Sequence, residues 1–192
     1  MEILQQKPDT KRPEIVRAAI TLFAKRGIDG TSMRDIAQAA GVREAAIYRH
    51  FAGKEELARE IFLSWYIWHC RQLNQIVTGP GSTKEKLRSL VRQEFTVAES
   101  HPEAFIYFCE NEPKFMSLLP PEVPSVRKIF KEFIKEGQGR GELREGDPGL
   151  IADMLSGALC GVALSWIRRL RRGGLNRHIA LVAESCWRMM AA

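Results

Sequence analysis

Apolar residues recur at helical spacing along most of the chain. Ile15, Ala19 and Phe23 begin one such stripe, and residues 126–134 and 151–167 contain two others. Positions three and four apart lie on one face of a helix, so each stripe predicts a helix with one buried side. Segments that alternate apolar and polar residues between turn signals are missing. The pattern therefore predicts an all-α protein of about nine helices.

Glycine, proline and small polar residues mark where these helices begin and end. Gly27 follows the first stripe, and Gly41 interrupts the next after one short helix. Ser82 or Thr83 is suited to cap the helix that follows a Gly-Pro-Gly turn. Pro148, directly after an aspartate, fits the first position of a helix. Asn176 is suited to cap the last helix.

Residues 31–51 form two short helical segments joined at a glycine. The first segment spans 31–40, the second spans 43–51, and Gly41 stands at the turn between them. Ser32 and Asp35 have the spacing of a capping box at the start of the first segment. Two short helices joined by a tight turn make a helix-turn-helix, whose second helix can enter the major groove of DNA.

Charge gives this interpretation modest support. The 192 residues include 29 lysines and arginines against 23 aspartates and glutamates, a formal net charge of +6. Residues 7–54 alone hold ten basic residues against five acidic ones. A basic surplus on that segment is suited to a phosphate backbone, although a net charge of this size proves no partner.

Other classes of protein find little support in the sequence. The four cysteines lie far apart, and His69 beside Cys70 points to a different helix face, so we expect reduced thiols and no metal site. The N-terminus has no apolar signal segment, and the longest apolar stretch, residues 154–167, is shorter than a membrane span. We therefore expect a cytoplasmic protein without a membrane partner. The basic run at 167–172 is either a helix end or a second nucleic-acid or membrane contact, and we favour the helix end.

Four linked motifs resemble the N-terminal DNA-binding domain of the TetR/AcrR family of bacterial transcriptional regulators. They are A-A-x-x-L-F-A-x-x-G from Ala18, T-S-x-x-x-I-A-x-x-A-G-V from Thr31, I-Y-x-H-F from Ile47 and G-K-E-E-L from Gly53. The resemblance implies a three-helix DNA-binding domain at residues 9–57, with its helix-turn-helix at 32–51. Residues 58–192 would form a helical effector-binding and dimerisation domain.

The resemblance also implies which residues meet DNA. The segment 43–51 would be the recognition helix, although Arg43 departs from the Ser, Thr or Pro that the family usually has there. The start of the helix at 31–40 and of the one that begins at Lys54 would contact phosphate. The expected DNA-binding residues are Thr31, Ser32, Arg43, Glu44, Ala45, Ala46, Tyr48, Arg49, His50 and Lys54.

In the family, the remainder of the chain binds a small effector and forms the homodimer. Aromatic residues gather in the middle of the sequence, and each is suited either to a pocket or simply to the core. The expected pocket residues are Trp65, Trp68, His69, Phe95, Phe105, Phe108, Cys109 and Met116. The last two long helices are expected to pack across a two-fold axis. The expected dimer residues are Leu155, Gly157, Ala158, Gly161, Val162, Ile179, Val182 and Cys186.

The function that these features predict is a ligand-responsive repressor. A homodimer would bind a palindromic operator in double-stranded DNA, in the nucleoid, and a small hydrophobic or aromatic effector would release it. No cofactor beyond this effector is expected. The alternatives are a DNA-binding regulator without a ligand, an activator and, more distantly, an all-helical enzyme. For the enzyme we find no phosphate-binding loop, zinc motif or paired carboxylates.

Overall fold

The structure, a computed structural model, describes residues 11–169 and 173–192. The predicted domain start at residue 9, and residues 170–172 of the basic run, lie outside this part of the chain. The described residues form nine α-helices, and their β-structure is limited to an isolated bridge between Leu143 and Ala191. The predicted all-α fold is therefore confirmed.

The helices follow one another with short connections. The first four are α1 (Arg12–Arg26), α2 (Met33–Ala40), α3 (Glu44–Tyr48) and α4 (Lys54–Thr78). The next five are α5 (Thr83–Ser100), α6 (Pro102–Phe115), α7 (Val126–Gly139), α8 (Pro148–Arg168) and α9 (Ile179–Met190). Two 3₁₀ turns, Met116–Leu118 and Leu175–His178, precede α7 and α9.

The chain divides into two compact units. The first, which we call the head, holds residues up to Trp68 together with Glu103–Leu119. The second, the body, holds His69–Pro102 and Pro120–Ala192. The predicted boundary at residues 57–58 therefore falls inside α4, and α6 belongs to the head. Sequence order hides this grouping because α5 separates α6 from the rest of the head along the chain.

The head is built on a small apolar core. Here α1 packs on α2, and α2 packs on α3. Ile15, Ile36 and Ile47 are fully buried, and Phe23 is nearly so. Each comes from the apolar stripe of its own helix, so burial of these stripes holds three short helices that would be marginal alone.

The body packs α5 against α8 and α9, and α7 against α8. Its core side chains include Phe95, Phe130 and Leu155, all essentially inaccessible to solvent. Gly137 in α7 permits one close approach, because a Cβ there would stand 2.6 Å from Cδ1 of Leu143. A larger residue at this position would push Leu143 out of the core.

Helix starts follow the sequence at α5 and α8 and depart from it at α9. Ser82 caps α5 in a capping box with Glu85, and Pro148 is the first residue of α8 as predicted. Asp147 caps α8 because its Oδ1 accepts the amides of Gly149 and Leu150, and these bonds, that of Leu150 foremost, lower the pKa of its carboxyl. The predicted cap at Asn176 is wrong.

The amide of Asn176 instead donates to Glu99, and the residue lies inside the 3₁₀ turn before α9. Glu99 also accepts the backbone amide of Leu175 at 3.0 Å. The carboxylate therefore holds the turn in place, and α9 begins at Ile179 with no side-chain cap.

Candidate nucleic-acid interface

The start of α2 is held by the predicted capping box. Ser32 Oγ accepts the Asp35 amide at 3.1 Å, and Asp35 Oδ2 accepts the Ser32 amide at 2.9 Å. The Ser32 hydroxyl also donates to Asp35 Oδ2 at 2.6 Å, and this bond is the main reason that the pKa of Asp35 lies below its usual value. Ser32 is exposed, so the predicted DNA-binding residue is at the surface.

Thr31, a predicted DNA-binding residue, is buried in the head. Its side chain is 2% exposed, and Oγ1 donates to the carbonyl of Gly27 at 2.8 Å. That carbonyl follows the last turn of α1, so Thr31 fastens the loop between α1 and α2. The expectation that Thr31 contacts phosphate is wrong because its hydroxyl is buried and already engaged.

The turn between α2 and α3 depends on Gly41. Its backbone φ is +65°, in the left-handed region that side chains other than glycine rarely adopt. The Gly41 amide bonds the carbonyls of Ala37 and Gln38, which closes α2. The predicted role of Gly41 as the left-handed residue of the helix-turn-helix is confirmed.

The recognition segment is shorter than predicted. The α-helix spans Glu44–Tyr48 rather than 43–51, and Arg43 precedes it with an extended backbone. Its end tightens because the Ile47 carbonyl accepts the amides of both His50 and Phe51, at 2.8 and 3.0 Å. Residues 49–51 therefore continue as a tight turn after α3.

This segment has one apolar side and one exposed side. Ile47 and Phe51 are 0% and 1% exposed, which fixes the segment on the head core. Tyr48 is 51% exposed although it is a large aromatic residue, and Ala46 is half-buried. The remaining predicted contact residues of the segment are all exposed: Arg43, Glu44, Ala45, Arg49 and His50. The structure thus leaves these predicted contact residues of the segment accessible to a partner.

Lys54, at the first position of α4, is partly engaged within the head. Its Nζ lies 3.4 Å from the backbone carbonyl of Asp29 in the loop after α1. The side chain is half-buried and retains donors, since an ammonium group has three. Lys54 therefore supports the loop that leads into α2, and a phosphate contact by this residue stays a prediction.

The predicted pocket residues fall in both units. Trp65, Trp68, Phe105, Phe108, Cys109 and Met116 belong to the head, and His69 and Phe95 belong to the body. In the head the rings pack on one another. The Trp65 and Phe108 centroids are 4.5 Å apart, and Phe62 stacks on both Tyr66 and Phe108 at 5.4 and 5.6 Å. The prediction missed Phe62, which sits one helical turn before Trp65 and Tyr66 and was therefore detectable from spacing.

The body places a buried polar pair among its apolar residues. Nε2 of His69, on α4, lies 3.0 Å from Oε1 of Glu94, on α5, and the two residues are 1% and 4% exposed. The sequence pointed to His69 but not to Glu94. Burying such groups costs free energy unless they are paired, so the pair constrains how α4 and α5 meet.

Tyr107 of α6 ties the head together from within. Its hydroxyl donates to the Ala58 carbonyl of α4 at 2.7 Å, and its ring stacks on Phe23 of α1 at 5.6 Å. Burial raises the pKa of the Tyr107 hydroxyl well above its ordinary value. The packing of α6 on α1 and α4 thus includes a buried hydrogen bond.

Apolar side chains of α8 and α9 form an exposed face of the body. Leu150, Met154, Val162 and Leu181 are 61%, 40%, 37% and 66% exposed. Beside Leu181 lies a cavity of about 470 Å³, whose walls include Gly161, Val162, Trp166, Leu175, His178 and Leu181. We call this surface the α8–α9 face.

The predicted dimer residues divide between this face and the core. Gly157, Gly161 and Val162 are exposed on α8, and the half-buried Ala158, Ile179 and Val182 lie along the two helices. Leu155 and Cys186 are only 0% and 5% exposed, so they belong to the core of the body and present no surface to a partner. The prediction missed Leu150, Met154 and Leu181 because it followed one broad apolar stripe instead of separating its two sides.

α8 also meets a simple test for a membrane span. Among the described residues it is the one helix long and apolar enough to cross a bilayer, by length and composition only. Core helices of soluble proteins pass the same test. α8 is apolar as a whole because it carries apolar residues on its buried side and also on its exposed side.

Among the described residues, no group of three or more His, Cys, Asp or Glu side chains is placed to hold a metal ion. Cys160 and Cys186 are free thiols, and burial raises the pKa of the Cys186 thiol.

Comparison with known proteins identifies the class of this helix-turn-helix. Residues 15–61 match the model of the bacterial regulatory proteins of the tetR family. The HTH-type transcriptional repressor KstR2 of Mycolicibacterium smegmatis is 31% identical over 155 residues, which are 78% of this chain and 74% of that protein.

Two solved structures have the same fold. The regulator FadR of Bacillus subtilis, in complex with stearoyl-CoA, has a TM-score of 0.73 at 20% identity over 90% of this chain and 96% of its own. The ketosteroid transcriptional regulator KstR2 of Mycobacterium tuberculosis has a TM-score of 0.73 at 22% identity over 97% of each chain.

The exposed recognition segment and these matches together define a DNA-binding transcriptional regulator rather than an enzyme. The chain belongs to the TetR family. The resemblance drawn from the four motifs is thereby confirmed, and the head carries the family's helix-turn-helix.

Proposed function

We propose that the protein is a ligand-responsive repressor that binds a palindromic operator as a homodimer in the bacterial cytoplasm. The observation that carries the proposal is the recognition segment, whose polar side chains surround Tyr48 on an exposed surface while Ile47 and Phe51 anchor it below. Arginine in such a segment is suited to the acceptor atoms of guanine, and alanine is suited to the thymine methyl group.

A binding assay with matched variants tests this site. The parent protein first selects a duplex from a random-sequence library. Tyr48→Ala is expected to weaken binding to that duplex roughly tenfold, within the range of one base or phosphate contact. Leu118→Ala is the control, because Leu118 is a similarly exposed large residue of the head, at 47% against 51%, outside the recognition segment. Equal affinities of parent and Tyr48→Ala would contradict the assignment.

The dimer proposal is supported by the α8–α9 face. A folded monomer would leave Leu150 and Leu181 in water, and isolated apolar patches of this kind mark interaction surfaces. Exposed Gly157 and Gly161 have open space where a Cβ would stand, so a second helix can approach closely there. In an isologous dimer the same face of a second copy would cover these residues.

The effector proposal is supported by the aromatic residues and by the relatives. A hydrophobic or aromatic small molecule would suit a protein so rich in buried rings. FadR is described with stearoyl-CoA and KstR2 as a ketosteroid regulator, and acyl-coenzyme A is our first candidate class for this chain. Effector binding would favour a conformer in which the two recognition helices no longer match the half-site spacing.

Thermal shift and DNA release together test the effector. Stearoyl-CoA, stearic acid, coenzyme A and a ketosteroid are each added to the protein–duplex complex. Acyl-coenzyme A specificity predicts that stearoyl-CoA raises the melting temperature and releases the duplex, while coenzyme A alone does neither. If none of the four shifts the melting temperature, this class of effector is wrong. The proposed mechanism requires no metal or other cofactor, and no membrane.

A further inference from the structure

Arg12, at the first position of α1, joins two other parts of the head. Its Nη2 donates to Oε1 of Glu60 in the second turn of α4. Its Cζ also lies 5.0 Å from the centre of the ring of Phe51, the last residue of the recognition segment. The Arg12 side chain is 15% exposed and that of Glu60 is 36% exposed, so water screens this contact only in part. One guanidinium therefore connects α1, α4 and the end of the helix-turn-helix.

The recognition helix depends on such support. α3 has only five residues, too few to hold a direction by its own hydrogen bonds. Its last turn is closed on the Ile47 carbonyl, and the next anchor is the buried ring of Phe51. Whatever fixes that ring fixes the end of α3, and with it the angle at which Tyr48 and Arg49 face DNA.

We propose that Arg12 and Glu60 are positioning residues for sequence-specific DNA recognition. Glu60 holds the Arg12 guanidinium over the Phe51 ring, and the ring sets the orientation of the recognition helix. Neither residue needs to read a base. The inference rests on the operator recognition proposed above and adds the residues that give α3 its register.

Arginine is the residue suited to this joint. The guanidinium is planar, so it bonds a carboxylate along its edge while its face covers an aromatic ring. The ammonium of lysine is a compact point charge and has no planar face to lie over a ring while it bonds a carboxylate. The substitution Arg12→Lys would keep the positive charge and a bond to Glu60 but would hold the ring less firmly.

The test measures specificity rather than affinity alone. Binding is measured to the duplex selected by the parent and to a scrambled duplex of the same composition. Glu60→Gln removes one negative charge, so long-range electrostatics alone would tighten binding to both duplexes. Our proposal predicts the opposite sign for the selected duplex, a loss of up to about tenfold, because a recognition helix released from this bond must be reoriented when it binds. Binding to the scrambled duplex stays within about twofold, or tightens.

Two further variants complete the experiment. Glu14→Gln removes the same charge from α1, where the carboxylate lies 3.7 Å from the exposed ammonium of Lys11, and is expected to leave the specificity ratio unchanged. Arg12→Lys is expected to lower the ratio about threefold, since it keeps the charge and loses the planar contact. Circular dichroism confirms that each variant is folded, and if Glu60→Gln is not, Arg12→Lys decides.

The specificity ratio separates the possible outcomes. A phosphate contact or a loss of folded protein weakens both duplexes equally. A ratio in Glu60→Gln or the deciding variant that equals the parent's therefore overturns the positioning role. If the parent itself prefers no duplex, operator recognition fails, and this inference fails with it. A specific parent with an unchanged Glu60→Gln ratio overturns this inference alone.

Discussion

The head and the body leave different kinds of surface uncovered. In the head, the recognition segment exposes charged and polar side chains around Tyr48, and its large apolar residues Ile47 and Phe51 are buried. In the body, α8 and α9 expose Leu150, Met154, Val162 and Leu181 beside a cavity of about 470 Å³. Uncovered polar groups suit a charged, hydrated partner such as DNA, whereas uncovered apolar groups suit another protein surface.

The largest effect is expected from a charge on the α8–α9 face. Leu181→Glu is expected to prevent dimer formation, because a carboxylate there would be buried without a partner. Losing the second recognition helix would weaken operator binding roughly 100-fold or more, the lower range of gains from linked binding modules. Analytical ultracentrifugation and the selected duplex provide the two measurements.

Gln75→Glu serves as the control for that prediction. Gln75 is an exposed polar residue of the body outside the α8–α9 face, so the same added charge is expected to change neither measurement. A Leu181→Glu protein that remains a dimer would show that this face is not the interface.

A smaller loss of DNA affinity is expected when a positive charge is removed from the head. Arg49→Ala is expected to weaken DNA binding about tenfold and to lower the salt dependence by about one phosphate contact. The sedimentation of the protein is expected to stay that of the parent. Arg88→Ala, an exposed arginine of α5 in the body, is the matched control. If both variants lose affinity equally, the head holds no special share of the DNA contacts.

The buried hydroxyl of Tyr107 is expected to contribute to the stability of the fold rather than to a binding surface. Tyr107→Phe removes the bond to the Ala58 carbonyl, so the free energy of unfolding should fall by about 1 kcal/mol. Tyr48→Phe removes the hydroxyl of an exposed tyrosine in the same unit and should change stability by less than about 0.5 kcal/mol. Urea unfolding distinguishes the two, and equal losses would contradict the buried bond.

The smallest effect concerns the pH dependence of the α2 cap. The Ser32 hydroxyl lowers the pKa of Asp35 in the folded state from its usual 3.8. The ionised Asp35 carboxylate therefore stabilises the fold fully above its usual pKa, and this contribution is lost as the pH falls through the lowered pKa. The difference in melting temperature between the parent and Asp35→Asn is expected to be constant from about pH 7 to pH 5 and to shrink below about pH 4.

Ser32→Ala supplies the control for this pH dependence. In that background the hydroxyl that lowers the pKa is gone, so the effect of Asp35→Asn should depend less on pH between about 5 and 2.5. A difference that stays constant down to about pH 2.5 in the parent background would show that Asp35 does not titrate as described.

The sequence predicts most of the head because its signals are local. Helical periodicity, the left-handed turn at Gly41 and the Ser32–Asp35 box each depend on residues within a few positions. Thr31 was misassigned because the motif specifies a small hydroxyl residue but not where the hydroxyl points. Only the fold shows that it reaches the Gly27 carbonyl.

The body and the long-range contacts were harder to predict. Apolar residues such as Leu155 and Leu181 look alike in sequence, and only packing shows that one is 0% and the other 66% exposed. The pairs Arg12–Glu60 and His69–Glu94 join residues 48 and 25 positions apart, which no periodicity connects. The division of the chain within α4 is likewise a property of contacts rather than of composition.

The stoichiometry of the complex with the selected duplex tests the central claim most directly. Our account holds that a polar head reads DNA and an apolar body joins two copies. Sedimentation of parent protein with that duplex should therefore show two chains for each duplex, and Leu181→Glu should remove this species at the same concentration. A parent complex with one chain for each duplex, or a Leu181→Glu protein that binds as a pair with unchanged affinity, would contradict the account.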